Sequence, residues 1–216
     1  MESTNTSKDK KNIKLKAELN NIKSNFILQK ISKQLTRLKL LDIFRFNQNL
    51  QKRLNLNIND YKEYSETLTS IEIELIPIID GNGKFINIPE NGKEYFHIYF
   101  DETKDEIKNN KLVKDNKVSR IKIIIDPQIK SFEYLFNNCK CINLISFPKF
   151  YRNNITNMNS MFNGCSSLKE LHLSNFKTNN VTDMSFMFSG CSSLKILNLT
   201  KFITNNVNNM SNMFAG

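Results

Sequence analysis

The last third of the chain repeats itself with a period of 26 residues. Two columns hold the same kind of residue in each copy: Ile129, Ile155, Val181 and Val207 in one, and Cys139, Cys165 and Cys191 in the other. A spacing held this strictly is typical of stacked repeat units, each too small to bury its own apolar face. We therefore predict a repeat solenoid over residues 129–216, an architecture that commonly provides a binding surface.

The two full copies occupy residues 155–180 and 181–206, and a divergent copy begins at Ile129. A further copy begins at Val207 and stops at Gly216, before its cysteine and its leucines. We expect this last copy to be incomplete and the chain to be a fragment of a longer protein.

Each copy combines two apolar patterns. The second half alternates about its leucines, which is strand periodicity. The first half spaces its apolar residues three, three and one apart, as on one short helical face. In copy 155–180 the first-half residues are Ile155, Met158, Met161 and Phe162, and the second-half residues are Leu168, Leu171, Leu173 and Phe176. The sequence thus predicts strand–turn–short helix units.

The motif N-x-x-x-M-F-x-G-C-S-S-L-K-x-L-x-L resembles that of the BspA-like leucine-rich repeats, and the resemblance covers residues 129–216. The resemblance implies an α/β leucine-rich-repeat solenoid whose strands line a concave sheet. The first copy departs from the pattern, with Asn138 in the column of Gly164 and with Lys140 and Cys141 in place of the serine pair. Such a departure is typical of an atypical capping repeat.

The repeated apolar and cysteine columns are predicted to form the interior of the array. Their members are Cys139, Cys165, Cys191, Leu168, Leu171, Leu173, Leu194, Leu197, Leu199, Met158, Met184, Met210, Phe162, Phe188 and Phe214. Stacked thiols one repeat apart are consistent with small buried core residues. A metal site or a disulfide is the lesser alternative, since Cys139 and Cys141 form a C-x-C pair without a second pair. We predict no metal and no cofactor.

The outward face of the predicted strands is the candidate binding surface, because successive strand residues point to opposite sides. Its predicted members are Leu144, Ser146, Glu170, His172, Ser174, Ile196, Asn198 and Thr200. These positions vary between copies while the core columns hold, either because they recognise a partner or because they are free to drift. Three adjacent strands give a strip only ~10 Å wide, so a stable interface would need more strands or other regions.

Little in the sequence indicates catalysis. The chain has two histidines, His97 and His172, and neither has a matching nucleophile or carboxylate nearby in sequence. The glycine-rich stretch 80–84 lacks the spacing of a P-loop or an EF-hand. We expect a non-catalytic protein that recognises another protein and has no small-molecule substrate.

The region before the repeats is expected to be a cap of three parts. Residues 1–11 are polar and predicted to be disordered. Residues 12–66 have apolar residues at helical spacing, and residues 67–128 are predicted to be rich in strands. We expect strands at 70–79, 84–88, 95–100 and 118–125, with a hairpin turn at 80–83 joining the first two. The last strand is expected to lead into the sheet of the repeats.

The helical part, from NFILQKISKQ onward, also faintly resembles an F-box, a module that docks onto a ubiquitin-ligase adaptor. The residues that would fit the apolar positions of that motif are Ile27, Leu28, Ile31, Leu35, Leu40 and Leu41. The chain departs from it, because no proline precedes Ile27 and there is no tryptophan. A ubiquitin-ligase adaptor and a plain helical cap are the two interpretations.

Charge and hydropathy bear on partners and compartment. Residues 1–53 hold 13 Lys and Arg against 4 Asp and Glu. This excess indicates either an anionic partner, such as nucleic acid or a membrane surface, or a solvated tail. There is no signal-peptide core and no transmembrane segment, which predicts a cytoplasmic protein. The bacterial resemblance implies a cell-surface adhesin as a further alternative.

Overall fold

A computed structural model describes residues 14–15, 17–33, 35, 37–44, 47–114 and 117–216. The predicted tail at 1–11 lies outside these residues. The chain divides into two compact units, with the boundary between Glu66 and Thr67. Each unit is described by itself.

The first unit is helical. Helices with described bounds are α1 (Asn25–Ser32), α2 (Arg37–Phe44), α3 (Gln48–Arg53) and α4 (Ile58–Thr67), and residues 14–15 and 17–20 are also helical. The Asn47 side chain caps α3 by accepting a hydrogen bond of 3.0 Å from the Leu50 amide, which satisfies one of the free N–H groups of the first turn. A small apolar core joins the elements through Leu19, Leu28, Leu40, Ile43, Phe44 and Leu50.

The second unit is built on strands. These are β1 (Ile71–Pro77), β2 (Gly83–Lys84), β3 (Phe96–Phe100), β4 (Lys111–Leu112), β5 (Ile121–Ile125), β6 (Ile142–Lys149) and β7 (Glu170–His172). Five of them form one sheet in the order β3-β5-β1-β6-β7, while β2 and β4 pair separately. Within the larger sheet β6 and β7 are parallel, and the remaining neighbours are antiparallel.

Alternation of apolar and polar residues explains the central strands. In β1 the side chains of Ile71, Ile73 and Leu75 are fully buried, whereas Glu72 and Glu74 lie on the opposite, half-buried face. The strands predicted at 70–79, 95–100 and 118–125 correspond to β1, β3 and β5.

Two expectations about strand connection are wrong. The stretch after the turn at 80–83 does not form a hairpin with β1, because β2 pairs with β4. The strand that pairs with β6, the first strand of the repeats, is β1 and not β5 as expected. β5 lies between β1 and β3. A local turn signal specifies a reversal of the chain but not which strand becomes the neighbour.

The predicted leucine-rich-repeat solenoid of strand–turn–short helix units is also wrong. The unit contains a mixed five-stranded sheet and a two-stranded sheet, and residues 129–216, all of them described, contain no helix. The first halves of the copies form turns instead. Among the second halves, residues 142–149 and 170–172 form strands, and residues 194–200 form none.

The copies nevertheless stack on one another through these turns. Parallel bridges join Ser131, Asn157, Asp183 and Asn209 in succession. The rings of Phe136, Phe162, Phe188 and Phe214 stack with centroid distances of 5.7, 5.6 and 5.7 Å. Each copy therefore contacts the next through the same residues one period later.

Burial follows this stacking. All three repeat cysteines are buried, as are Met158, Met184, Phe162, Phe188, Leu168, Leu171 and Leu173. Leu194, Leu197 and Leu199 are only half-buried. Met210 and Phe214 were predicted to be core residues but are 42% and 60% exposed. Burial in the copy that begins at Val207 is uneven, since Met213 is only 7% exposed.

Candidate functional site

The eight predicted face residues lie in two places, on the paired strands β6 and β7 and around a groove beside β7. In the parallel pair, Leu144 lies opposite Glu170 and Ser146 lies opposite His172. All four side chains share one face of the sheet because opposite residues in a pair point the same way. Glu170 and His172 are exposed, and Leu144 and Ser146 are half-buried.

This face continues across the strands that precede the repeats. Ser146 lies opposite Glu74 of β1, Glu74 opposite Lys122 of β5, and Lys122 opposite Tyr99 of β3. With His172, these residues form one row across all five strands. Four strand spacings of ~4.8 Å give a width of ~19 Å, about twice the ~10 Å expected from three repeat strands. We call the outward side of β3, β5, β1, β6 and β7 the sheet face.

Charges of both signs lie on the sheet face. Glu72 is 3.4 Å from the ammonium groups of both Lys122 and Lys149. His172 Nε2 is 3.6 Å from Glu170 Oε2. Ion pairs this accessible to solvent contribute little to folding stability, so these charges are available to orient a partner.

His97 lies on the sheet face of β3, where its ring nitrogens meet two carboxylates. Nδ1 is 3.3 Å from Glu106 and Nε2 is 3.4 Å from Asp126. A hydrogen bond from Lys108 is the main cause of a lowered pKa at Glu106, and His97 adds to it. This arrangement ties the loop that carries Glu106 to the sheet.

A groove of about 770 Å³ runs beside β7, between that strand and residues 193–201. Six of the eight predicted face residues line it: Glu170, His172, Ser174, Ile196, Asn198 and Thr200. Ile196 is 81% exposed, a large value for an isoleucine. The structure therefore brings most of the predicted face together around one concavity.

The groove exists because residues 194–200 do not pair with β7. The Asn198 side chain accepts hydrogen bonds from the Thr200 amide at 3.0 Å and the Thr200 hydroxyl at 2.8 Å. Such a local turn competes with a strand for the backbone. His172 occupies the same column one period earlier and makes no such turn, and there the strand β7 forms.

The cysteines form no reactive centre. Cys165 Sγ donates to the Phe136 carbonyl at 3.0 Å, and Cys191 Sγ to the Phe162 carbonyl at 3.1 Å. Burial raises the pKa of Cys141 and of Cys191 to about 11 and that of Cys165 well above its usual range. These thiols stay protonated near neutral pH, and the thiolate is the nucleophile and metal ligand. Within the described residues, no cluster of three or more His, Cys, Asp or Glu side chains is placed to hold a metal ion.

Sequence reasoning missed Arg152, which is fully buried. Its Nη1 donates to the Asp126 carbonyl at 3.0 Å, while Nε and Nη2 have no partner in the described part of the chain. Burial lowers the pKa of its guanidinium to about 10. Because the repeat columns hold Thr178 and Thr204 at this place, the period gave no signal for a buried arginine.

Sequence reasoning also missed Glu74, Lys122 and Tyr99 as members of the face. Alternation within each strand is the signal that could have assigned each of them to an outward position. Only the strand order, with β1 beside β6, joins them to the repeat residues.

Comparison with known proteins gives one finding. Residues 130–216, less than half of the chain, match the family model described as "Mycoplasma protein of unknown function, DUF285". That family is related to the BspA-like repeat proteins, which supports the resemblance of the repeats at this coarser level. A search of curated proteins and a search of solved structures found no match. Among the described residues, no helix is long and apolar enough to cross a membrane. The repeat part of the chain is thus similar to a family of unestablished function.

Proposed function

We propose that this chain is a non-catalytic protein that binds a protein partner through the sheet face. The observation that carries the proposal is the strand register, which aligns Tyr99, Lys122, Glu74, Ser146 and His172 in one row. Residues from the repeats and from the preceding strands thereby contribute to a single surface.

The sheet face supplies about half of the contact area that this function needs. The seven residues of β1 span ~23 Å at ~3.3 Å each, and the five strands span ~19 Å. Their product is ~440 Å², about half of the ~800 Å² that one partner buries in a stable interface. The groove beside β7 adjoins this area and supplies further contact surface.

The polar groups of the face support binding rather than catalysis. In the part of the chain that the structure describes, the side-chain partners of His97 and His172 are carboxylates, and the four cysteines are buried. An activated nucleophile needs an adjacent base or a lowered pKa. Mixed charges on a half-buried strand surface instead favour partner orientation and selectivity.

The test compares two matched triple variants against a partner isolated with the wild-type chain. The sheet-face variant carries Tyr99→Asn, Glu74→Ala and Lys122→Ala. The control carries Tyr134→Asn, Glu133→Ala and Lys140→Ala, at exposed positions of the first repeat copy. Asparagine replaces the tyrosines because Tyr134 has φ 57°, a region that Asn tolerates.

We expect the sheet-face variant to weaken partner binding at least tenfold and the control to change it less than twofold. Circular dichroism and thermal melting establish that both variants are folded. Unchanged affinity in the sheet-face variant, or an equal loss in the control, would show that the partner binds elsewhere.

A second candidate function, a ubiquitin-ligase adaptor protein, is supported by the exposed apolar residues of α1. Phe26 is 67% exposed, Ile27 50% and Ile31 36%. Exposed apolar side chains on one short helix are typical of a docking surface. The other apolar positions of the F-box resemblance differ, since Leu28, Leu40 and Leu41 are buried.

This candidate is tested with the full chain against a purified F-box-binding adaptor. The wild type should bind it, and Ile27→Asp should abolish binding, since a charge placed in an apolar interface is costly. Lys30→Asp on the same helix is the control for charge alone. Absence of binding by the wild type rejects the candidate.

A further inference from the structure

The outer edge of β7 offers free backbone groups to the groove. Ile76 lies opposite Leu144 and is followed by Pro77, which has no N–H, so Leu144 exchanges hydrogen bonds with β1 and the next residue of β6 bonds to β7. In a parallel pair that residue bonds on either side of its partner, Leu171. The N–H and C=O of Leu171 itself therefore face away from β6, and no described strand pairs with them.

The opposite wall of the groove, residues 193–201, leaves this edge accessible. It is attached to the core by the half-buried Leu194, Leu197 and Leu199. Its turn at Asn198 keeps it out of the sheet. An unpaired edge of this kind is a template for an added strand.

The charge of the groove indicates which kind of peptide strand it would bind. Three lysines line it, Lys169, Lys195 and Lys201, against one carboxylate, Glu170. His172 lies 3.6 Å from that carboxylate and pairs with it when protonated. Lysines on both walls favour an acidic occupant, and the exposed Ile196 favours apolar side chains within it.

We propose that the groove binds an extended acidic segment of a partner protein, which adds to β7 as a further strand. The backbone N–H and C=O of Leu171 supply hydrogen bonds, and the lysines select the charge. Main-chain pairing with side-chain selection is the established logic of strand addition. This inference rests on the proposed function, of which it specifies the ligand.

A second copy of this chain fits the groove less well. Two β7 edges brought together would place Lys169, Lys195 and Lys201 against the same lysines. Like charges opposed across an interface cost several kcal/mol. The acidic strand of the chain, β1, is already paired on both sides.

The experiment measures binding of fluorescein-labelled nonapeptides to the full chain by fluorescence anisotropy. One peptide alternates Glu and Val, a second alternates Lys and Val, and a third is the Glu–Val peptide with every other amide N-methylated. The third keeps charge and side chains but loses the hydrogen-bond donors of one edge.

We expect the Glu–Val peptide to bind, with an affinity that falls as salt is raised. N-methylation should weaken binding at least tenfold, and the Lys–Val peptide should bind at least tenfold more weakly. In the chain, Lys195→Glu with Lys201→Glu should reverse the preference between the two charged peptides. Lys130→Glu with Lys140→Glu, at exposed sites away from the groove, is the matched control.

Equal binding of the N-methylated peptide would overturn pairing with β7. Self-association of the chain that the Lys195 and Lys201 variant abolishes would identify a second copy as the occupant and overturn the partner segment. If no peptide binds, the groove proposal fails. Tyr99, Glu74 and Lys122 lie outside the groove, so the sheet-face experiment still decides the proposed function separately.

Discussion

The two halves of the repeat behave differently although both recur with the same period. In copy 155–180 we call residues 155–165 the turn half and residues 166–180 the leucine half, with corresponding ranges in the other copies. The turn halves make the same contacts from each copy to the next: a parallel bridge and a pair of stacked phenylalanine rings whose centroids are 5.6–5.7 Å apart. The leucine halves give an eight-residue strand, a three-residue strand and no strand in successive copies.

The difference shows which contacts a repeat can specify by itself. A turn half binds the next turn half, so each copy carries both sides of the contact. The leucine half forms a strand where a neighbour holds it in the sheet: β6 lies against the central strand β1, and β7 lies against β6 alone. The groove beside β7 lies where this support ends.

The largest expected effect concerns the turn half. Phe162 is fully buried and stacks on both Phe136 and Phe188. Phe162→Ala should lower the free energy of unfolding by ~3–5 kcal/mol, because it leaves a cavity in a packed interior. Urea denaturation followed by fluorescence or circular dichroism measures this loss.

Phe214→Ala is the matched control, at the same column but 60% exposed. It should cost less than ~1.5 kcal/mol, since little apolar area is lost from the interior. Equal losses at the two positions would mean that ring stacking, rather than burial, holds the turn halves together.

The next effect compares the leucine halves of two copies. Leu171 is 6% exposed and lies in β7, whereas Leu197, one period later, is half-buried outside any strand. Leu171→Ala should cost ~2–4 kcal/mol and Leu197→Ala about half as much or less. Thermal or urea unfolding of the two variants decides it, and equal costs would show that the second leucine half is packed as tightly as the first.

The contacts between successive copies were predicted better from the sequence than the strand arrangement of the sheet was. Columns such as Phe162 with Phe188 and Cys165 with Cys191 are visible in the period, and all four residues are buried. The short helical face predicted for Met158, Met161 and Phe162 was wrong because apolar spacing over one turn also fits a tight β-bridged turn. Ser160 within this stretch has φ 52°, a conformation outside the right-handed helix.

The candidate site shows the same limit. The alternation about Leu171 and Leu173 places Glu170 and His172 on the outward face. It could not show that Asn198 forms a local turn with Thr200 where His172 forms a strand. Nor could it place β1 beside β6, because strand order depends on contacts distant in sequence.

A smaller effect distinguishes two glycines of the turn half. Gly164 and Gly190 share a column and have φ of 69° and 67°, so an added Cβ is strained at either. A Cβ on Gly164 would lie 2.4 Å from Asn138 Oδ1, whereas one on Gly190 would lie 3.4 Å from Gly164 Cα. Gly164→Ala should therefore cost ~2 kcal/mol and Gly190→Ala ~1 kcal/mol.

Replacing Asn138 by Gly as well tests the cause of this difference. In the double variant the clash is absent, and the cost of Gly164→Ala should fall to that of Gly190→Ala. If the two single variants already agree in urea midpoint, the Asn138 amide moves aside without cost.

The smallest effect is the ionisation of the buried thiols in the turn halves. It should leave the free energy of unfolding unchanged at neutral pH and lower it only in alkali. Burial raises the pKa of Cys191 to about 11, against ~8.5 for a free thiol. At pH 8 its thiolate fraction, and with it the rate of alkylation by iodoacetamide, should be about two hundredfold lower than in the unfolded chain.

Because the pKa of Cys191 is higher in the folded state, the stabilisation is complete below pH ~8.5 and is lost as the pH rises toward about 11. The free energy of unfolding should thus fall between these values, and Cys191→Ala should reduce that fall. Rapid alkylation of Cys191 in the native protein at pH 8 would contradict a closed turn half and would make both halves of the repeat equally open to solvent.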